Sequence, residues 1–437
     1  MTTLLSGARL FDGEREKPDH GVLIENGTVR RVAPMAEFGG YAGRRIDMPG
    51  CTILPGLIDC HIHTLHGAEG NPGVVIERML PGQLVMRGLE NMQATLAGGI
   101  TSVRDCGGKD YLEFAIRDAI NANKFLGPTM MASGRMICMT GGHGNRYGRI
   151  ADGVDEVVKA VREQVHAGSD LIKIMATGGV MTPGVNPEDA HYSAEEMAAG
   201  IREGHRFHRH CASHAQGAEG ILNAVRGGID SIEHGIFMDE ECIREMLARG
   251  TWLVPTLAAV KNILKGHDEG EPGIPDYVID KSRRVYERHR ESFKAYYKAG
   301  GKLAMGTDAG TPFNRHGENA MELEYMVELG CSNRDALFAA TGSAADLMRR
   351  TDLGRLAEGM DAAVMTRSIP MDIAMDDPLI AYGQNGEALR PEQGYPVRLM
   401  LPGIEGNASV KWLRRLEGGD QPYMTREETS KYTDPLP

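Results

Sequence analysis

The rhythm of hydrophobic and polar positions changes near residue 56. Before it, Thr2–Leu10, Gly21–Ile24, Thr28–Val32 and Arg45–Leu54 alternate or run apolar, with breaks at Asn26-Gly27 and Gly39-Gly40. That pattern predicts short strands joined by turns. From Leu57 onward, short apolar runs alternate with stretches of helical period, as in a parallel sheet with crossover helices. The runs are Leu57–His63, Ile100–Asp105, Thr129–Ser133, Leu171–Thr177, Cys211–Ala215, Ser231–Gly235, Trp252–Leu257 and Lys302–Asp308. Helices are predicted at Asp155–His166, Ala194–His210, Ala218–Arg226, Glu240–Arg249 and Val278–Ala299, and after the last strand at Glu318–Leu329 and Asn333–Met348. Eight strands with covering helices predict an α/β fold, a (β/α)8 TIM-like barrel.

Composition narrows the class. Against 48 Lys and Arg the 437 residues carry 60 Asp and Glu, a net charge of −12, so nucleic acid is not the expected partner. No apolar run approaches the ~20 residues of a membrane span, and the first residues lack a leader pattern, so a cytoplasmic protein is expected. The seven cysteines stand singly with no Cys-x-x-Cys pair, which argues for reduced thiols and against a thiolate zinc site. The charged stretch Lys281–Lys298 reads as a solvated helix face.

In a barrel of this kind, reactive groups sit at the C-terminal ends of strands. The first strand ends His61-Ile62-His63, and a period of two turns both imidazoles to one side, where they can bind one ion. Lys173 lies inside the apolar fourth strand. A buried unpaired ammonium is costly, so the residue is either neutralised or covalently altered, or it snorkels out of the barrel. The fifth strand ends at His214, the sixth at His234 and the eighth at Asp308. Each alone reads equally as a satisfied core histidine or a helix-capping acid. Together they form a nitrogen and oxygen donor set suited to Zn2+, with Co2+, Mn2+ or Fe2+ as alternatives.

The run Leu54-Pro-Gly-Leu-Ile-Asp-Cys-His-Ile-His63, followed by the lysine strand, two histidines and Thr307-Asp308, resembles the binuclear members of the amidohydrolase superfamily. The resemblance implies two divalent metal ions bridged by an N6-carboxylated Lys173. His61 and His63 would hold the more buried ion with Asp308 beside it, and His214 and His234 the other. Ala176–Pro183, Tyr192-Ser193-Ala-Glu-Glu and Thr140-Gly-Gly-His143-Gly resemble the imidazolonepropionase-related group that includes Xaa-Pro and Xaa-Arg dipeptidases. By that likeness His143 and Tyr192 would line the substrate pocket; otherwise each caps a nearby helix. The implied activity is hydrolysis of a C–N bond in a small amide, carbamate or urea-like substrate. Metal-activated hydroxide attacks the carbonyl, and Asp308 moves the proton to the departing nitrogen. The substrate would be a dipeptide or N-acyl amino acid, or a synthetic amide or carbamate. Arg146 or Arg315 would hold a carboxylate. A homo-oligomer is expected. The alternative is a non-catalytic relative acting as an assembly protein.

Gly354-Arg-Leu-Ala-Glu-Gly-Met-Asp361 resembles the segment by which this superfamily re-enters a small, discontinuous β-sandwich domain. The text then changes. Leu379–Leu399, Val410–Arg415 and Thr425–Tyr432 resemble an internal piece of Sox-type sulfite or sulfane dehydrogenases, which are molybdopterin enzymes. The expected division is 1–55 for the first part of the β domain, 56–350 for the barrel, 351–376 for the return, and 377–437 for a borrowed tail. That tail is too short for a molybdenum cofactor, and Val397–Leu401 offers a replacement strand for the β domain.

Overall fold

The computed structural model describes residues 2–362 and, beyond them, backbone strands at 379–381, 383–384, 387–388 and 398–400. The N-terminal segment forms a four-stranded sheet in the order Thr28–Pro34, His20–Glu25, Thr2–Ser6, Arg44–Asp47. Successive strand residues point to opposite faces, and both faces of Thr2–Ser6 are used. Leu5 packs with Val22 and Val29 on one side, and Leu4 with Ala33 and Phe38 on the other. The chain returns to this sheet after the barrel. Val29 N donates to Met360 O at 2.9 Å, Ala362 N to Gly27 O at 2.8 Å and Leu356 N to Asp12 O at 2.9 Å.

Between these segments the chain winds a ring of parallel strands. Leu57–Ile62, Ile100–Asp105 and Thr129–Ala132 form one run, and Leu171–Met175, His210–Ala215, Ser231–His234 and Trp252–Val254 a second. Asp170 N donating to Ala132 O at 2.9 Å joins the third strand to the fourth. The eighth segment closes the circle. Leu253 N donates to Lys302 O at 2.9 Å on one side, and on the other Cys60 N donates to Met305 O at 2.8 Å and Asp308 N to His61 O at 2.7 Å. This segment makes isolated bridges, Leu253 to Leu303 and Ile62 to Ala309, and not the continuous strand predicted over Lys302–Asp308. Backbone donors that would extend the ladder turn to the chain at 339–340: Met305 N donates to Ala339 O and Ile58 N to Ala340 O, both at 2.8 Å. A Cβ on Gly306 would lie 2.3 Å from Val254 Cγ1 and 2.9 Å from His61 Cβ.

The predicted helices form at Gly153–Ala167, Ala194–Arg206, Ala218–Gly227, Glu240–Arg249, Asp276–Lys298 and Met321–Glu328. Two differ from the sequence reading. The helix after Ser193 stops at Arg206, because His208 turns left-handed at φ 59° and the next strand begins at His210. Asn333–Met348 divides into Asn333–Ala339 and Gly342–Leu347. Thr341 Oγ1 donates back to Leu337 O at 2.6 Å, and Gly342 brings the chain against Gly13 O, where a Cβ would sit 2.5 Å away.

All seven cysteines are buried and unpaired, as the scattered spacing implied. Among the described residues no helix is long and apolar enough to cross a membrane. In the tail, Arg398–Met400 pairs antiparallel with Leu379–Ala381 in a two-stranded sheet, and not with the N-terminal sheet. Gly383–Gln384 pairs antiparallel with Glu387–Ala388; the remainder of the expected tail, and the strand expected over 362–369 from residue 363 onward, lie outside the described residues.

Candidate metal centre and substrate cavity

The strand ends converge on a cavity of about 560 Å3, a volume typical of small-molecule sites. His61, His63, Lys173, His214, His234, Asp308 and His143 all line it. His61 Nε2, His63 Nε2 and Asp308 Oδ1 form a buried group whose ligand atoms lie within 4.8 Å of one another. Asp308 Oδ1 stands 3.1 Å from His63 Nε2 and 3.5 Å from His61 Nε2. It is buried and accepts no hydrogen bond. Lys173 is buried, with Nζ 3.4 Å from His61 Nε2. The rings of His61 and His234 are 5.2 Å apart, and those of His214 and His234 4.5 Å.

Each imidazole is locked by its second nitrogen. His61 Nδ1 donates to Glu233 Oε2 at 2.8 Å, His63 Nδ1 to Gly107 O at 2.9 Å and His214 Nε2 to Gly178 O at 2.9 Å. His234 Nδ1 donates to Thr256 Oγ1 at 2.6 Å, since that hydroxyl gives its own hydrogen to Pro255 O at 2.7 Å. These acceptors fix the tautomers and leave a bare nitrogen on each ring, the arrangement that metal-binding histidines need. Burial, with the charge of Lys173 among the lesser causes, pushes His61, His214 and His234 well below 6.5. Burial would lower His63 as well, but the Asp308 carboxylate outweighs it and leaves His63 raised. The Asp308 carboxylate thus favours positive charge at this point of the cavity. The donor set therefore fits a metal ion.

The backbone is strained where the strands end. His234, Thr256 and Asp308 all sit in the left-handed region, at φ 76°, 51° and 62°, a conformation costing ~1–3 kcal/mol each for a side-chain-bearing residue. Asp59 helps hold Asp308 in place, accepting from Thr307 Oγ1 at 2.6 Å, Asn319 Nδ2 at 2.7 Å and His61 N at 3.0 Å. Burial raises Asp59 to about 6.

The second pair of pocket candidates divides. His143 lines the cavity, its ring 4.4 Å from that of His214 and its Nδ1 2.8 Å from Thr182 Oγ1, and burial lowers it to about 3. Tyr192 does not line the cavity. It precedes the helix cap Ser193, and its ring joins the core cluster of Met197 and Ile201 while its hydroxyl donates to Ala151 O at 2.8 Å. A large apolar side chain just before a cap packs back onto the first turn of the helix. That local need turned Tyr192 inward. Arg146 lines the cavity mouth and pairs with Glu77 at 2.7 Å, whereas Arg315 pairs with Glu271 at 2.9 Å and is not among the lining residues.

The sequence reading missed the supports. Arg104 and Glu233 are buried and joined at 2.7 Å beneath His61. Both lie in strands of few apolar residues, Ile100–Asp105 and Ser231–His234, where a charge stands out less than Lys173 does in Leu171–Met175. His66 and Tyr147 also line the cavity and were unremarked.

A model of the amidohydrolase family matches residues 52–367, and one of the oxidoreductase molybdopterin binding domain matches residues 337–427. Ochratoxinase of Aspergillus niger is 31% identical over 347 residues, 72% of this chain and 69% of its own length. Nitrate reductase [NADH] of Solanum lycopersicum is 43% identical over 68 residues, 15% of this chain and 7% of its own. A solved Xaa-Pro dipeptidase with methionine bound in its active site superposes with a TM-score of 0.76 at 30% identity, over 83% of this chain and 92% of its own. A prolidase complexed with N-methylphosphonate-L-proline gives 0.76 at 30% identity, over 94% of this chain and 100% of its own.

Proposed function

The chain belongs to the amidohydrolase family and is a hydrolase of C–N bonds; from that premise we propose a metal-dependent enzyme that cleaves the amide of a dipeptide or N-acyl amino acid. One observation carries the metal dependence. His61, His63 and Asp308 aim ligand atoms at one point, and Asp308 Oδ1 is buried there without a hydrogen-bond donor. His214 and His234 present bare nitrogens beside Lys173, so the full set would hold two divalent ions, of which zinc suits the donors best. Carboxylation of Lys173 would turn a buried cation among imidazoles into a bridging anion.

Bound there, divalent ions supply a water of lowered pKa and polarise the carbonyl. The chain's own residues do the rest. Asp308, held ionised by its neighbours against the opposing effect of burial, takes a proton from the attacking water and returns it to the departing nitrogen. His143, kept neutral by burial, offers a ring nitrogen to a substrate oxygen. Val180, Val260 and Ile263 give the cavity an apolar wall, and Arg146 puts a guanidinium at its mouth. An apolar amino acid with a free carboxylate matches both features. The bound methionine and proline phosphonate of the two solved relatives support the same class.

The test is metal analysis of protein purified without chelator, then a hydrolysis screen of the metal-loaded enzyme on dipeptides, N-acyl amino acids, aryl amides, carbamates and ureas. Preference for amides bearing a free carboxylate is the expected result. Turnover of carbamates or ureas alone would move the substrate class. Near-zero metal with no turnover would favour the non-catalytic assembly protein.

A further inference from the structure

We propose that Tyr147 donates a hydrogen bond to the substrate, its hydroxyl turned into the cavity by His66. The inference rests on the hydrolase reading of this cavity and adds a residue to it. Tyr147 lines the cavity, and its ring packs against Met136, Cys138 and Met175. Its loop is tied down by Arg135 Nε donating to Tyr147 O at 3.0 Å and Gly148 N to Gly144 O at 2.9 Å. The hydroxyl therefore has a fixed place, 2.7 Å from His66 Nε2.

The state of His66 decides which way that hydroxyl points. His66 is buried, stacked on His63 with ring centroids 4.7 Å apart and planes 19° apart, and its Nδ1 has no hydrogen-bond partner. A neutral imidazole carries one N–H. With the hydrogen on Nδ1, a donor would be buried unpaired, which costs more than an unpaired lone pair. The hydrogen therefore belongs on Nε2, which donates to the tyrosine oxygen. Tyr147 then keeps its own O–H free, and among the described residues no other group hydrogen-bonds that hydroxyl. A phenol is protonated at neutral pH. The result is a preplaced neutral donor, available to a carbonyl or carboxylate oxygen of the substrate. His66 is the positioning residue and Tyr147 the one that touches substrate.

Two measurements test this. In zinc-loaded protein, nitrogen NMR of the histidines, with the His66 signals assigned by their loss in His66→Gln, should show Nε2 protonated and Nδ1 bare. A proton on Nδ1 overturns the inference, because Tyr147 would then donate to His66. On the amide that the wild type turns over fastest, Tyr147→Phe should lose about 10- to 100-fold in kcat/KM, the worth of one strong hydrogen bond. Its metal content and unfolding midpoint should stay as in the wild type. Tyr192→Phe, which deletes a hydroxyl in the core, should stay within twofold. Equal activity of Tyr147→Phe and wild type also overturns the inference. A wild type that hydrolyses nothing in the screen sinks the functional reading instead, and the NMR result still decides the direction of the hydroxyl.

Discussion

Glu233 divides its two oxygens between a buried guanidinium and a candidate metal ligand, Arg104 at 2.7 Å and His61 Nδ1 at 2.8 Å. All three side chains are buried. In Glu233→Gln the charge of Arg104 loses its partner, so stability should fall by about 3–5 kcal/mol. The one amide oxygen left is drawn to Arg104 and Ser231, so His61 Nδ1 faces the amide NH2 and loses its acceptor, and metal affinity should fall about 10- to 100-fold. Urea unfolding and competition with a chelator measure the two effects. The double variant Arg104→Met with Glu233→Leu, which leaves neither a buried charge nor an acceptor, separates them, since stability should recover and metal affinity should not. A single variant within 1 kcal/mol of wild type in unfolding would refute the ion-pair argument. Asp308→Asn keeps the shape and one coordinating oxygen but cannot take up the proton. Turnover should drop about 10^2- to 10^4-fold with metal retained, and substantial residual activity would remove Asp308 from proton transfer. The candidate histidines and Asp308 were legible in sequence because they stand at the ends of predicted strands, and Lys173 because it interrupts an apolar one. Arg104 and Glu233 lie in strands with more polar residues, where a charge stands out less. Tyr192 was misread because its neighbours resemble a pocket motif, while its direction is set by the cap that follows.

At the scale of elements, strand period located the barrel and erred mainly where one element meets the next. The eighth segment reads as a strand, but Met305 N and Ile58 N donate to Ala339 and Ala340, which leaves only isolated bridges. The predicted helix 194–210 overran because its apolar spacing continues past the left-handed turn at His208 into the fifth strand. That strand opens on His210, buried with Nε2 unpaired. Burial, aided by the charge of Arg104, lowers His210 to about 3. The unfolded chain, with its histidine near 6.5, takes up a proton that the folded chain refuses between those two values. His210 therefore favours folding above about pH 6.5, and this contribution is lost as pH falls, at up to about 1.4 kcal/mol per pH unit. Replacing it with Asn should flatten the fall of unfolding free energy between pH 6.5 and 5 by a sizeable part of that slope. The slope is the readout, so a general loss of stability in the variant does not obscure it. An unchanged slope would show that His210 titrates normally in the folded chain.

For the whole molecule, the two family matches overlap from residue 337 to 367, and the structure shows which body uses the shared stretch. Ala344, Ala345, Leu347 and Met348 pack with Ile58, Cys60 and Val254 against the barrel. Residues 356–362 then hydrogen-bond to the loop at Asp12 and to the N-terminal sheet at Gly27 and Val29. The described part of the overlap thus belongs to the hydrolase. Outside it, the molybdopterin-like match retains only residues 368–427, and the likeness to nitrate reductase spans 7% of that enzyme. The barrel is closed by the 302–309 segment, and the small sheet by residues before 363. Every one of these closing hydrogen bonds is made by residues before 363. Ending the chain after residue 362 should leave the unfolding midpoint, metal content and kcat/KM on the best substrate within about twofold of the full chain. The full chain, expressed with molybdate, should bind no molybdenum in stoichiometric amount. Loss of folding or activity on truncation would mean that the tail completes the body, and stoichiometric molybdenum would give it a redox role of its own.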